Sequence, residues 1–159
     1  MLIVQGNLAN TYQRLDRVDE ALRLRRDVYS GWLKLYGQEH SETISAACNY
    51  ANTLLKLERF AEAKSLLHEA VPVARRVLGN SHDLALKMRN VHARALYLNP
   101  GATLADLREA VKTLEETERT ARRVLGGAHP NTTRIEKSLR DARAALRARE
   151  TPPSQNNDS

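Results

Sequence analysis

The sequence predicts an all-α chain built from repeated helical hairpins. Charged residues make up 28% and aromatic residues 4% of the 159 positions, and the 7 glycines and 5 prolines are too few for the turns of an all-β sandwich. One phrase occurs three times, as YGQEHSET, LGNSHDLA and LGGAHPNT. Between the copies, apolar residues recur at three- and four-residue steps, which is the period of an amphipathic helix. Together these observations indicate one helical repeat array.

The repeat has a period of 42 residues with one insertion. His40 and His82 are 42 positions apart, whereas His82 and His129 are 47 apart. The five extra residues fall beside Asn99-Pro100-Gly101, a cluster typical of a loop. The predicted parts are therefore units over 1–37, 38–79 and 80–126, a capping helix over 127–148 and a disordered polar tail over 149–159.

Each unit is expected to contain a first and a second helix. The first helices are predicted over 1–15, 42–56, 83–97 and 131–148, and the second helices over 19–36, 60–78 and 104–125. In the first helices Ala9, Ala51 and Ala93 recur at 42-residue steps, and such a small residue allows a partner helix to approach closely. The second helices carry an apolar stripe on one face, which we expect to form the core.

The helix ends have their own signals. Gly37, Gly79 and Gly126 each follow a second helix, where a left-handed residue can close the helix end. The residues expected to cap the next helix are Ser41, Asp83 and Asn131. Pro72 lies inside a predicted helix and should bend it. The last helix is expected to present a charged outer face as a cap, with Arg134, Lys137, Arg140, Arg143 and Arg147.

The repeat is 42 residues long and carries LG..H at its hinge, N.A..Y or N.A..L in its first helix and EA in its second. This pattern resembles the kinesin light chain type of tetratricopeptide repeat (TPR). The resemblance covers about residues 1–148. It implies a right-handed superhelix of three hairpins plus a C-terminal capping helix, with the first helices lining a concave groove. The family's long N-terminal coiled coil has no counterpart before residue 1, so we do not expect binding to the motor heavy chain.

The resemblance also implies that asparagines on the concave wall hold the backbone of an extended peptide. By position these are Asn7, Asn10, Asn49 and Asn52. In the third unit Val91 and Arg94 occupy the two matching positions, and Asn90 is one residue out of register.

The charge balance favours an acidic partner. The chain has 25 Lys and Arg against 19 Asp and Glu, which gives a net charge of +6. Lys87 and Arg94 would add positive charge along the groove. We therefore expect a non-catalytic protein interaction scaffold that binds an extended, acidic protein or peptide. The predicted groove residues are Asn7, Asn10, Asn49, Asn52, Lys87, Asn90 and Arg94.

The alternative is a basic helical repeat that binds nucleic acid. The pI of about 9.8 allows this interpretation. Single-strand binders stack bases on aromatic side chains, however, and this chain has 1 Trp, 1 Phe and 5 Tyr. We therefore favour the peptide groove.

No motif indicates an enzyme, a cofactor or a metal. Cys48 is the single cysteine and lacks a visible Cys-His pairing pattern, so we expect a buried structural thiol. The three hinge histidines are one hairpin apart, too far for one zinc ion, and are expected to bond loop backbone. Neither a P-loop nor GxGxxG is present. With no secretory or membrane-spanning segment, a cytoplasmic location is expected.

Overall fold

A computed structural model describes residues 1–151 and confirms the all-α helical repeat. Within these residues there are seven helices and no strand. The helices are α1 (Leu2–Arg14), α2 (Val18–Tyr36), α3 (Ser41–Lys56), α4 (Phe60–Leu78), α5 (Asp83–Tyr97), α6 (Leu104–Leu125) and α7 (Pro130–Glu150). Their bounds agree with the sequence prediction to within two residues.

Every helix packs against the next one along the chain. The first helices of the later units also contact each other, α3 with α5 and α5 with α7, and so form one wall of the array. One buried cluster, the first core, includes Leu54, Leu67 and Met88. The second core includes Leu114 and Ile135. Helix α5 contributes to both cores and thereby joins neighbouring units, as a solenoid requires.

The alanines that recur in the first helices are packing positions, as predicted. Ala9, Ala51 and Ala93 are each 0% exposed. The alanine of the Glu-Ala pair in the second helices is also a packing position, since Ala21 and Ala63 are fully buried. A 42-residue step in the sequence is therefore a step between equivalent packing sites.

Replacing one of these alanines by a large residue should be costly. We expect Ala51→Leu to lower the free energy of unfolding by about 1–3 kcal/mol, because three extra carbon atoms must be fitted into a filled core. Thermal melting measures the loss, and Ala61→Leu on the exposed side of α4 is the control. Equal midpoints for Ala51→Leu and wild type would contradict close packing at this site.

The caps of the first helices differ from the sequence prediction. The capping side chains are those of the preceding histidines, and Ser41, Asp83 and Asn131 are already inside the first turn. His40 Nδ1 accepts the Glu42 N–H at 3.3 Å. His82 and His129 repeat this bond at 3.1 Å to the N–H two residues on. The hinge imidazoles were expected to bond loop backbone, but they accept from N–H groups in the first turn of the next helix and so act as its cap.

The hinge glycines adopt a conformation open only to glycine. Gly37, Gly79 and Gly126 have φ values of 78°, 91° and 87°. Their ψ values are 177°, 157° and 159°, so the backbone is in the mirror-image extended region rather than the left-handed helical one that was expected. A Cβ atom is strained in that region, which explains why the hinge phrase requires glycine at this position.

The C-terminal helix is longer than predicted. It ends at Glu150, so the first two residues assigned to the disordered tail are helical. Arg149 donates to the Ala102 carbonyl at 2.8 Å, and Glu150 pairs with Arg108 at 3.1 Å. These long-range bonds hold the last turn. The rest of the predicted tail, 152–159, lies outside the described residues.

Pro72, which was expected to bend its helix, lies inside α4, and the helix continues on both sides of it.

Candidate functional site

A groove runs along the wall formed by the first helices. Its cavity of about 510 Å³ is lined by Asn10, Gln13, Arg25, Asn49, Asn52, Lys56, Lys87, Asn90, Val91, Arg94, Asn131, Arg134 and Ile135. Six of the seven predicted groove residues are in this list. The seventh, Asn7, lines a smaller adjoining cavity of about 160 Å³, which also contains Asn10 and Asn49. The structure therefore brings the predicted residues together, and their binding role stays a prediction.

The groove is positively charged along its length. Five of its lining residues are cations and none is an acid: the cations are Arg25, Lys56, Lys87, Arg94 and Arg134. Within residues 1–151, the ion pairs shorter than 4.0 Å involve none of these five. Neighbouring like charges without counter-charges raise the potential in a concave site. The groove therefore attracts anions.

Asparagine side chains hold three of these cations in place. Arg25 donates to Asn10 Oδ1 at 2.5 Å, and Arg94 donates to Asn52 Oδ1 at 3.5 Å. The second bond joins α5 to α3 across one 42-residue step. Arg134 makes a similar bond within α7, to Asn131 Oδ1 at 3.4 Å. An amide oxygen orients a guanidinium without neutralising it, so the charge remains available to a ligand.

Asn90 offers the groove an unused acceptor. It is 8% exposed, and in the described part of the chain its buried Oδ1 has no hydrogen-bond partner. Val91, the position that matches the family asparagine, is 2% exposed and lines the groove beside it. A buried polar atom without a partner costs free energy.

Arg25 belongs to the groove but was missed by the sequence analysis. It lines both cavities and is 7% exposed. A signal for it was available in the repeat: the equivalent residues of the second and third units are Leu67 and Leu114, both 0% exposed. A charged residue at a position that is leucine in the other units marks a break in the packing pattern.

Arg134 also differs from its predicted place. The sequence analysis assigned it to the outer face of the capping helix, but it lines the groove. Lys137, one turn further on, pairs with Asp141 at 2.7 Å. The reason is that α7 packs on α5 through Ile135 and its neighbours, which turns the first part of α7 towards the wall.

Cys48 is a structural thiol by its surroundings. It is 0% exposed, and burial raises its pKa to about 11. A nucleophilic cysteine needs the opposite, a lowered pKa and an open path to substrate. Because the thiol stays protonated at pH 8, we expect a disulfide reagent such as Ellman's to label it on the order of a hundred-fold more slowly in buffer than in denaturant. Equal rates would contradict its burial.

Two further findings concern metals and membranes. In the described part of the chain no group of three or more His, Cys, Asp or Glu side chains is placed to hold a metal ion. Among the helices of residues 1–151, none combines the length and the apolar character needed to span a bilayer.

The comparisons with known proteins agree with this architecture. The family model "Tetratricopeptide repeat" matches residues 1–64. The crystal structure of kinesin light chain nearly identical TPR-like repeats from Podosopora anserina superposes with a TM-score of 0.79 at 26% identity, and a single-substitution variant of it with 0.80. Each superposition covers 91% of this chain and 66% of the crystallised one, so this chain spans about two thirds of that length.

A more distant structure is similar in fold. BtubC (BKLC) from P. vanneervenii has a TM-score of 0.59 at 15% identity, covering 99% of this chain and 68% of that one. No curated protein matches this chain in sequence.

Proposed function

We propose that this chain, which is similar to tetratricopeptide repeats of the kinesin light chain type, is a protein interaction scaffold whose groove binds an extended, acidic segment of a partner protein. The observation that carries the proposal is the charge of the groove. Five cations line its main cavity of about 510 Å³ without one acidic side chain, and none of the five is in an ion pair within the described residues. A partner that brings carboxylates would supply the missing counter-charges.

The amides of the groove support an extended partner. Asn49 and Asn52 are on one face of α3, and Asn10 is on the neighbouring unit, one repeat away. A carboxamide both donates and accepts, so it can bond the N–H and C=O groups of a peptide whatever its side chains are. Affinity would then come from the backbone of the partner and selectivity from its charges.

The alternative of nucleic acid has less support. Among the described residues that line the main groove cavity, none is aromatic. Base stacking on aromatic rings is a principal source of affinity for single strands. The basic groove therefore matches carboxylates on a peptide better than a chain of stacked bases.

The direct test is selection from a displayed library of random peptides about a dozen residues long. We expect the enriched peptides to carry several Asp or Glu residues, because five cations and no acidic side chain line the main groove cavity. Enrichment of neutral or basic peptides, or of none, would refute the proposal. A single-stranded oligonucleotide binding more tightly than the best peptide at physiological salt would favour the nucleic-acid alternative.

The asparagines are tested with the best selected peptide. We expect Asn49→Ala combined with Asn52→Ala to weaken binding by about 1–3 kcal/mol, since hydrogen bonds in a partly desolvated groove are lost. Titration calorimetry gives the value, and circular dichroism should show unchanged helix content. Asn80→Ala, at an exposed hinge outside the groove, is the control. Unchanged affinity of the double variant would mean that the peptide does not use these amides.

A further inference from the structure

We infer that Arg25 is a built-in anchor for one acidic side chain of the partner, and that it takes a single carboxylate at the N-terminal end of the groove. The inference deepens the proposed function and rests on it. It starts from the repeat: Arg25 occupies the position of Leu67 and Leu114, which are core residues of the other two units. A guanidinium has replaced a leucine at one of three equivalent sites.

The replacement leaves a buried charge without a counter-ion. Arg25 is 7% exposed, and no carboxylate lies within 4.0 Å of it in the described residues. One of its terminal nitrogens is bonded to Asn10, while its Nε is buried and has no hydrogen-bond partner. Burial also lowers its pKa, which is the mark of a cation kept from water. Such an arrangement costs stability unless an anion completes it.

The second buried arginine of the described residues, Arg89, has a counter-ion within the chain. Arg89 is 5% exposed and pairs with Glu116 at 3.3 Å, so its counter-charge comes from this chain. Arg25 has the same degree of burial and no such partner. An acidic side chain of a bound partner can supply the contact that Glu116 gives to Arg89.

The backbone leaves room for that anion. The first helices of later units contact each other, whereas no Cα atom of α1 lies within 8 Å of one in α3. The smaller cavity of about 160 Å³ occupies this gap, between Gly6 and Asn7 on α1 and Ser45 and Asn49 on α3. Arg25 projects into it from α2. A side chain of an extended partner can reach the guanidinium through the opening between the two helices.

The chemistry of the gap selects a carboxylate. Arg25 is the one cation that lines the small cavity, together with the amides Asn7, Asn10 and Asn49 and one carboxylate, Glu42. Glu42 is not within ion-pair distance of Arg25 in the described residues, and its charge disfavours a ligand group with more than one negative charge. The planar guanidinium can bond the oxygens of a carboxylate through its terminal N–H groups.

The experiment compares peptides selected by wild type with those selected by Arg25→Leu, in the random library described above. Wild type should require Asp or Glu at one fixed position, and Arg25→Leu should lose that requirement while keeping acids at the positions that meet Lys87 and Arg94. Affinity for the best wild-type peptide should fall about 10- to 100-fold. Arg89→Leu is the matched control, because it removes an equally buried arginine outside the groove, and it should keep the fixed acidic position.

Thermal melting separates an anchor from a structural residue. Arg25→Leu restores the leucine of the other units and removes an uncompensated charge, so its midpoint should rise by about 2–6 °C. A lower midpoint would show that Arg25 is structural and overturn the inference. An unchanged peptide preference in Arg25→Leu would overturn it too, while leaving the proposed function intact. Failure of wild type to select acidic peptides would refute both.

Discussion

Leu67→Arg should leave the second unit largely unfolded, with a loss of more than about 4 kcal/mol in the free energy of unfolding. The substitution gives the second unit the residue that the first unit carries at the equivalent position, Arg25. Leu67 is 0% exposed inside the first core, and α3 and α5 are in contact on the groove side of this unit. The new guanidinium would have neither a gap to enter nor a partner to bond, so its full desolvation cost remains.

Denaturant unfolding followed by circular dichroism measures the loss. Leu67→Met is the matched control, since it conserves volume and should cost less than about 1.5 kcal/mol. If Leu67→Arg melted within a few degrees of wild type, an arginine at this register would reach solvent in any unit. The burial of Arg25 would then carry no cost.

Reversing the charge of the groove should have the largest effect on binding. We expect Lys87→Glu combined with Arg94→Glu to weaken the best selected acidic peptide by at least about a hundred-fold, because two attractive contacts become repulsive ones. Both side chains are half-buried in the groove wall, where solvent screens them less than it would on an open surface. Titration calorimetry at low and high salt should show the difference shrinking as salt rises.

The control for this prediction carries the same change in net charge. Lys112→Glu combined with Arg119→Glu alters two exposed residues of α6 that do not line the groove. This variant should bind within a few-fold of wild type. Equal weakening by both pairs would show that the peptide responds to overall charge, and the groove would lose its special role.

The local features of the fold were predictable from sequence. The 42-residue step located the units, and the three- and four-residue steps located the helices to within two residues. Helix bonds join residues four apart, so the information that places a helix is contained in its own segment. That glycine is needed at the hinge was predictable as well, but its backbone lies in the mirror-image extended region and not in the left-handed helical one that was expected.

The capping residues of the first helices were only partly predictable from the local sequence. A serine, aspartate or asparagine is the usual cap, so Ser41, Asp83 and Asn131 were expected. The histidines one or two residues earlier cap instead, because the hinge turns at that point and brings each imidazole Nδ1 to an open N–H group. The histidines were expected to bond the loop, and the geometry of the turn makes them the caps.

The repeat itself determined that this chain folds into an all-α array and that asparagines and cations recur on its first helices. Only the tertiary structure decided which of those side chains share a cavity. It turned Arg134 into the groove through the packing of α7 on α5, and it opened a gap between α1 and α3 above Arg25. The physical reason is that the exposure of a side chain depends on the element packed opposite it, which lies up to a whole repeat away in sequence. From the repeat alone, Arg25 is a charged residue at a core position. The cavity between α1 and α3 is what makes it a candidate anchor for a ligand.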